Sequence, residues 1–402
     1  MHCLSRGRTG LHDADTGLPM GFIVDGFPVF CLERWQSLHE TSTGLVLSES
    51  GGEPPSIEEL ESYGVNVEAV VKRMELGYGW TKGLPRLREL IASRIYSDVV
   101  DAEHIVVTSG GAEANLLAVL ATIAPGSLAI VDVPNYLQVW GLLAMRSARV
   151  YEYRRRSGDW SLEPDRLAEL IDALRPKAVF VTNPNNPTGR VERSLGVLAE
   201  AAARHDTILV FDEVYRGLEL SGPRTSSVLE AAESYGAVAI STGSLSKTYS
   251  LPGLRIGWVA TNNKQLAEKL WSVKDYTTIS TSRLSEELAA AVLEAAADKL
   301  AERTRRIAAR NLELLSAACG VDRVHRPEAG AFTLIRVKGS DVVVAEELLR
   351  KHNILVVPGT CMKASGYIRV SLGIADSRRA RDAYIKLCSA LTETEGLDKE
   401  SS

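Results

Sequence analysis

The sequence predicts an α/β protein: a large domain whose mostly parallel sheet is covered by helices, followed by a smaller α+β C-terminal domain. Three observations carry this. Short apolar, β-rich runs alternate with helical patterns from about residue 105 to residue 260. The pattern changes from about Lys264 onward, where one long helical stretch precedes shorter strands. The 402 residues are 45% hydrophobic and 24% charged, enough for a large core and for two domains.

Strands are expected at 105–108, 128–131, 150–153, 178–182, 208–212, 237–241 and 256–260. Helical patterns fall between them at 112–123, 136–147, 164–174 and 195–204. Strands that read as continuous apolar runs and alternate with helices belong in a parallel sheet buried on both faces. One helix is expected over 285–318, then strands at 332–337, 354–357 and 367–371, then a closing helix at 377–391. The expected division is an N-terminal arm over 1–50 that joins the small domain, a large domain over 51–285 and the small domain over 286–402.

The formal net charge of -5 leaves no basic excess to neutralise phosphates, so neither a nucleic acid nor an anionic membrane is expected as a partner. The run Arg154-Arg155-Arg156 reads as a solvated edge. Five cysteines (Cys3, Cys31, Cys319, Cys361 and Cys388) are scattered and odd in number, as for free thiols in a reducing cytoplasm. No metal-ligand spacing occurs among the seven histidines, and no metal is expected. No apolar stretch reaches membrane-spanning length, and the first twenty residues lack the apolar core of a signal peptide. That segment has little periodic pattern, so Met20 is an alternative start.

The chemistry centres on Lys247, in Ser244-Leu245-Ser246-Lys247-Thr248-Tyr249-Ser250, with Arg255 eight residues on. Hydroxyls and an arginine around a lysine suit a site that holds pyridoxal phosphate as a Schiff base. The amine must shed its proton to attack an aldehyde, and confinement beside cations favours the neutral form. The small hydroxyl residues and Arg255 can hold a phosphate dianion.

Four further segments fit that reading, and each has a plainer one. Thr108-Ser109-Gly110-Gly111-Ala112 follows a strand and opens a helix, where free N–H groups suit a phosphate; it also reads as an ordinary βα turn. Asn183-Pro184-Asn185-Asn186-Pro187-Thr188-Gly189 lies just past a buried strand, where Asn186 can donate to a ring oxygen, or simply turn the chain. Asp212, in Phe211-Asp212-Glu213-Val214-Tyr215, can keep a pyridine nitrogen protonated or cap a helix. Tyr215 can hydrogen-bond or pack. Tyr136 can stack on a ring or sit in the core. Arg369, on an apolar strand, needs a partner: a substrate carboxylate or an internal salt bridge.

Together these segments resemble the class I/II (fold type I) aminotransferase family, over residues 47–387. The resemblance implies roles position by position. Lys247 would carry the cofactor and move the proton. Asp212 would pair with the pyridine nitrogen, and Tyr215 and Asn186 would donate to the ring oxygen. Gly111, Ala112, Ser244, Ser246 and Arg255 would form the phosphate cradle, and Tyr136 would stack. Tyr78 would reach across a homodimer interface to the other subunit's phosphate. Arg369 would clamp the substrate carboxylate, with Asn186 and Gly51 beside it. The segment Leu47-Ser48-Glu49-Ser50-Gly51-Gly52 would pack with the C-terminal domain and cover the site. Residues 271–281 and 355–359 are also similar to capreomycidine synthases, which cyclise a hydroxyarginine.

The implied reaction is ping-pong transfer of an amino group between an amino acid and a 2-oxo acid. The same cradle supports lyase or cyclase chemistry. A non-catalytic regulator that senses the cofactor would need an added DNA-binding domain, and only about 45 residues precede the resembling region. A nicotinamide enzyme would need a GxGxxG turn, which the adjacent Gly110 and Gly111 do not form. Residues 277–282 offer no second arginine for a distal carboxylate, and Arg283 lies further on, which disfavours a dicarboxylate specialist. Trp80 and Tyr276 suit a large apolar side chain, or belong to the core.

Overall fold

The computed structural model describes residues 23–24, 27–72 and 74–397. Met20 and Cys3 lie outside them. The main sheet has seven strands: β1 (Ile105–Thr108), β2 (Leu128–Val133), β3 (Arg149–Arg154), β4 (Ala178–Thr182), β5 (Ile208–Asp212), β6 (Ala239–Ser244) and β7 (Gly257–Thr261). Their order is β1-β7-β6-β5-β4-β2-β3. Only β7 runs antiparallel, to β1 and to β6; every other pair is parallel. Every residue of β1, β4, β6 and β7 is buried, as the continuous apolar runs require. Helix Pro164–Leu174 begins with the proline whose missing N–H costs nothing there. Helix Val228–Tyr235 opens on a capping box of Ser227 and Glu230 and stops at the left-handed Gly236.

The smaller domain has its own core around Val356, Val370, Tyr384 and Leu387. Strands Phe332–Arg336 and Val357–Pro358 flank Tyr367–Ser371, all antiparallel. The N-terminal segment joins this core. Leu45–Val46 pairs parallel with Ile354–Leu355, and the Trp35 indole donates to the Val356 carbonyl at 2.8 Å.

Several expectations change. The single helix over 285–318 is two, Arg283–Ala295 and Ala297–Cys319. Ala296 breaks them at φ -130°, ψ -5°. The core under the main sheet takes Ala289 of the first helix and Leu300 of the second, and the second helix runs on to place Ala308 and Leu312 in the small-domain core. Helices Lys264–Lys274 and Asp341–His352 were not anticipated. Arg155 is not on a solvated edge: it is buried, and pairs with the equally buried Asp132 at 2.7 Å. The cysteines are not all free thiols. Cys31 pairs with Cys361 and Cys319 with Cys388, with Cα atoms 5.2 Å apart in each case. Separations of 330 and 69 residues leave no local spacing to betray these pairs. Among the described residues no helix is long and apolar enough to cross a membrane, and no cluster of metal-ligating side chains occurs.

Candidate active site

One cavity of about 560 Å³ opens where the C-terminal ends of β4, β5 and β6 meet the small domain. Strand ends are where an open α/β sheet exposes its ligand crevice. Asp212 is the last residue of β5 and Ser244 the last of β6. Asn186 follows β4 in the Asn-Pro turn, and Lys247 follows β6 by three residues. Gly111, Ala112, Tyr136, Tyr215, Ser246, Arg255 and Arg369 complete the expected set on the cavity wall.

A chain of hydrogen bonds crosses the floor. Lys247 Nζ donates to Ser50 Oγ at 2.9 Å, as does the Tyr215 hydroxyl at 3.0 Å. Asn186 Nδ2 donates to the Tyr215 oxygen at 3.1 Å, and Arg369 Nη1 to Asn186 Oδ1 at 2.9 Å. Arg369 Nη2 donates to the Ser48 carbonyl at 2.7 Å. Its Nε, also buried, has no partner among the described residues. The plainer reading of Arg369, an internal salt bridge, does not hold: its partners are an amide, a carbonyl and the Met362 sulfur. Tyr215 is held edge-on by Phe332, with ring centroids 5.1 Å apart.

Burial sets the electrostatics. It pushes the Lys247 ammonium below its usual value, while Glu49 pulls the other way. It raises the Asp212 carboxyl, opposed by the Asn115 amide and the Val214 N–H. Asn115 Nδ2 lies 2.9 Å from Asp212 Oδ2, and Thr242 Oγ1 fixes the Asn115 oxygen at 2.9 Å. The Tyr215 hydroxyl is pushed up to about 12 by burial, so it stays a donor.

The turn before helix Gly111–Thr122 has no room for side chains. Gly110 sits at φ 80°, and a Cβ there would come within 2.2 Å of Arg255 Nη2. A Cβ on Gly257 would lie 2.4 Å from the Gly110 carbonyl carbon. The twelve-residue helix thus presents its first N–H groups to the cavity beside Arg255 and Ser244. Ser244 Oγ in turn accepts from the Ser246 N–H at 2.8 Å. A tight cradle at a helix N-terminus, a buried lysine whose pKa burial lowers and an orphaned guanidinium nitrogen fit a phosphorylated aldehyde cofactor and a carboxylate substrate.

Gly51 borders this wall through its backbone: a Cβ there would meet the Ser246 carbonyl oxygen at 3.4 Å and Lys247 Cδ at 3.7 Å. Tyr78 does not reach the cavity within one chain; it is 90% exposed. Trp80 and Tyr276 are exposed too, so neither is core and neither lines the cavity. Sequence reasoning missed Asn115, Ser50, Gln138 and Glu33. Asn115 had a signal: it lies four residues after Gly111, on the face of the helix turned to the strand ends. Ser50 and Glu33 had none, since their partners lie 165 and 103 residues away.

This arrangement defines a fold type I pyridoxal-phosphate enzyme. The profile of the family described as aminotransferase class I and II matches residues 53–382. A PLP-dependent aminotransferase structure from Streptococcus suis superposes with a TM-score of 0.83 at 30% identity, covering 92% of this chain and 98% of that one. An aspartate aminotransferase of Thermotoga maritima is 28% identical over 347 residues, 83% of this chain and 88% of its own. A capreomycidine synthase of Streptomyces vinaceus is 30% identical over 364 residues, 88% and 91% respectively. The chain belongs to the class I and II aminotransferase family. It is an enzyme that transfers amino groups between amino acids and 2-oxo acids, and its cofactor is pyridoxal phosphate.

Proposed function

We propose that Lys247 is the proton-moving amine of this site and that Arg369 binds the substrate α-carboxylate. The observation that carries this is the unbroken path Lys247–Ser50–Tyr215–Asn186–Arg369, which fixes the base relative to the carboxylate clamp. Pyridoxal phosphate, when bound, supplies an aldehyde for the amino group and a ring that takes up electron density. Lys247, whose ammonium form burial disfavours, accepts the proton from the substrate Cα and later delivers one. Asp212, held by Asn115, offers a carboxylate to a protonated ring nitrogen. Tyr215 and Asn186 donate to a ring oxygen. Gly111, Ala112, Ser244, Ser246 and Arg255 hold the phosphate, Tyr136 covers the ring, and Gly51 leaves space beside the lysine.

The enzyme works as a homodimer, a reading supported by the exposure of Leu76, Tyr78, Trp80 and Tyr276, large side chains that a second subunit would bury. Tyr78 would then reach the other subunit's phosphate. Its setting is the cytoplasm, where the cysteine pairs close only under oxidising conditions.

The test is an absorbance spectrum of the holoenzyme before and after a pool of amino acids. Bleaching of the yellow form with release of 2-oxo acid supports transamination. Release of ammonia would instead favour a lyase, and a cyclised product the chemistry named for the capreomycidine synthase it matches over 88% of the chain. A protein that stays colourless with added pyridoxal phosphate would end the reading.

A further inference from the structure

Three carboxylates on the cavity wall have no place in the chemistry above. Glu33, Gln36, Ser37 and Glu40 line the cavity together. Their spacing of three, four and seven residues puts them on one face of helix Cys31–His39 and its helical C-cap Glu40. Glu49 also lines the cavity, between Ser48, which accepts from Arg369 and from Gln36 of that helix, and Ser50, which accepts from Lys247. Among the described residues none of the three glutamates forms an ion pair, although the chain pairs many of its other surface carboxylates. Glu33 accepts only the Tyr136 hydroxyl. The cations on the wall are Lys247, Arg255 and Arg369, each already assigned to the lysine, phosphate or carboxylate position.

A second, independent observation points to a ligand in this cavity. Arg369 is 1% exposed, and its Nε has no partner. A carboxylate held by Arg369 would share one cavity with Lys247 and the three glutamates, so the rest of the ligand meets those carboxylates. Both Glu33 and Glu49 act electrostatically on Lys247 and on Arg369, so their field covers the space between.

We infer that the donor amino acid carries a cationic side chain, a guanidinium or an ammonium, bound by Glu33, Glu40 and Glu49. The inference rests on the proposed function for the reaction, and on the cavity alone for the binding. A dicarboxylate donor would meet three like charges and no free cation. A guanidinium would give the exposed carboxylates a planar, multidentate partner.

The test compares L-arginine with L-citrulline, a neutral isostere of nearly the same shape, as donors to the holoenzyme. Solvent-exposed pairs contribute roughly 1.4- to fivefold each, so three carboxylates should favour arginine by about 3- to 125-fold in kcat/KM. The ratio should fall toward one in the Glu33→Gln, Glu40→Gln, Glu49→Gln triple variant, and at high salt. Binding is read separately by calorimetry with 5-guanidinopentanoate and 5-ureidopentanoate, which lack the reacting amine. A Kd tighter by a factor in the same range for the guanidino acid, lost in the triple variant, supports the inference even if the product is not a 2-oxo acid. Citrulline matching arginine, equal Kd values, or a preference that survives in the triple variant would overturn it. Turnover of neutral amino acids with no arginine preference would leave transamination standing and remove only this inference.

Discussion

Replacing Arg369 by lysine tests whether the guanidinium acts by shape or by charge alone. Arginine here is fully buried, with Nη1 and Nη2 fixed by Asn186 and Ser48 at 2.9 and 2.7 Å. Its Nε has no partner, and a planar guanidinium can meet a carboxylate with two parallel bonds. Lysine keeps the charge and loses the fork. At least one charge-assisted hydrogen bond to substrate disappears, a loss of about 1.5–3 kcal/mol. That corresponds to a rise in KM of roughly 10- to 150-fold. The assay is steady-state kinetics with three amino acids of different side chain, beside the absorbance of the bound cofactor. The rise should be the same for all three, because every one presents the same α-carboxylate. Cofactor absorbance should persist, because Arg369 lies across the cavity from the Gly111 cradle. An unchanged KM, a rise confined to one side chain, or loss of the cofactor would refute the assignment.

Lys247→Ala should abolish both turnover and the yellow form, read by absorbance and by 2-oxo acid release. Asn115→Ala should leave Asp212 without its side-chain amide and slow proton removal by at least tenfold, measured in a single half-reaction with α-deuterated donor. Gly257→Ala forces a methyl to within 2.4 Å of the Gly110 backbone, so the helix N-terminus must shift. Overpacking of this kind costs about 1–3 kcal/mol, to be seen as a lower Tm and weaker cofactor binding. Burial holds the Lys247 pKa below its unfolded value of 10.5, so the folded chain binds the proton less well than the unfolded one. The resulting penalty is full at low pH and fades as pH rises toward 10.5. Cofactor-free Lys247→Met should therefore withstand more urea than the parent at pH 7, with the gap narrowing by pH 10.

The sequence made the floor of the site legible because its chemistry is written in short segments at strand ends. Asp212 closes an apolar run, Asn186 sits in a doubled Asn-Pro turn, and Lys247 stands among hydroxyls. The strands Ala178–Thr182 and Ile208–Asp212 could be bounded to the residue for the same reason: a run of five and of four apolar or β-branched positions stops at a turn signal or at Asp212. The walls were illegible, because they are relations across the chain. Ser50 meets Tyr215 over 165 residues, and Glu33 meets Tyr136 over 103. The break at Ala296 lies inside three consecutive alanines, with no glycine or proline to announce it. Helix Asp341–His352 did carry a signal that was passed over. Ser340 caps it, accepting from Val343, and basic residues crowd its last turn.

The bond between Cys31 and Cys361 closes most of the polypeptide into a covalent ring, 330 residues around. Its clasp lies beside helix Cys31–His39 and the small sheet, while the seven-stranded sheet lies wholly within the loop it closes. Opening the clasp would therefore release the tie on the helix that carries Glu33, while Asp212 and Lys247 keep their places at the strand ends inside the ring. The proposed substrate wall would then answer to the thiol balance of the surroundings more directly than those strand-end residues do.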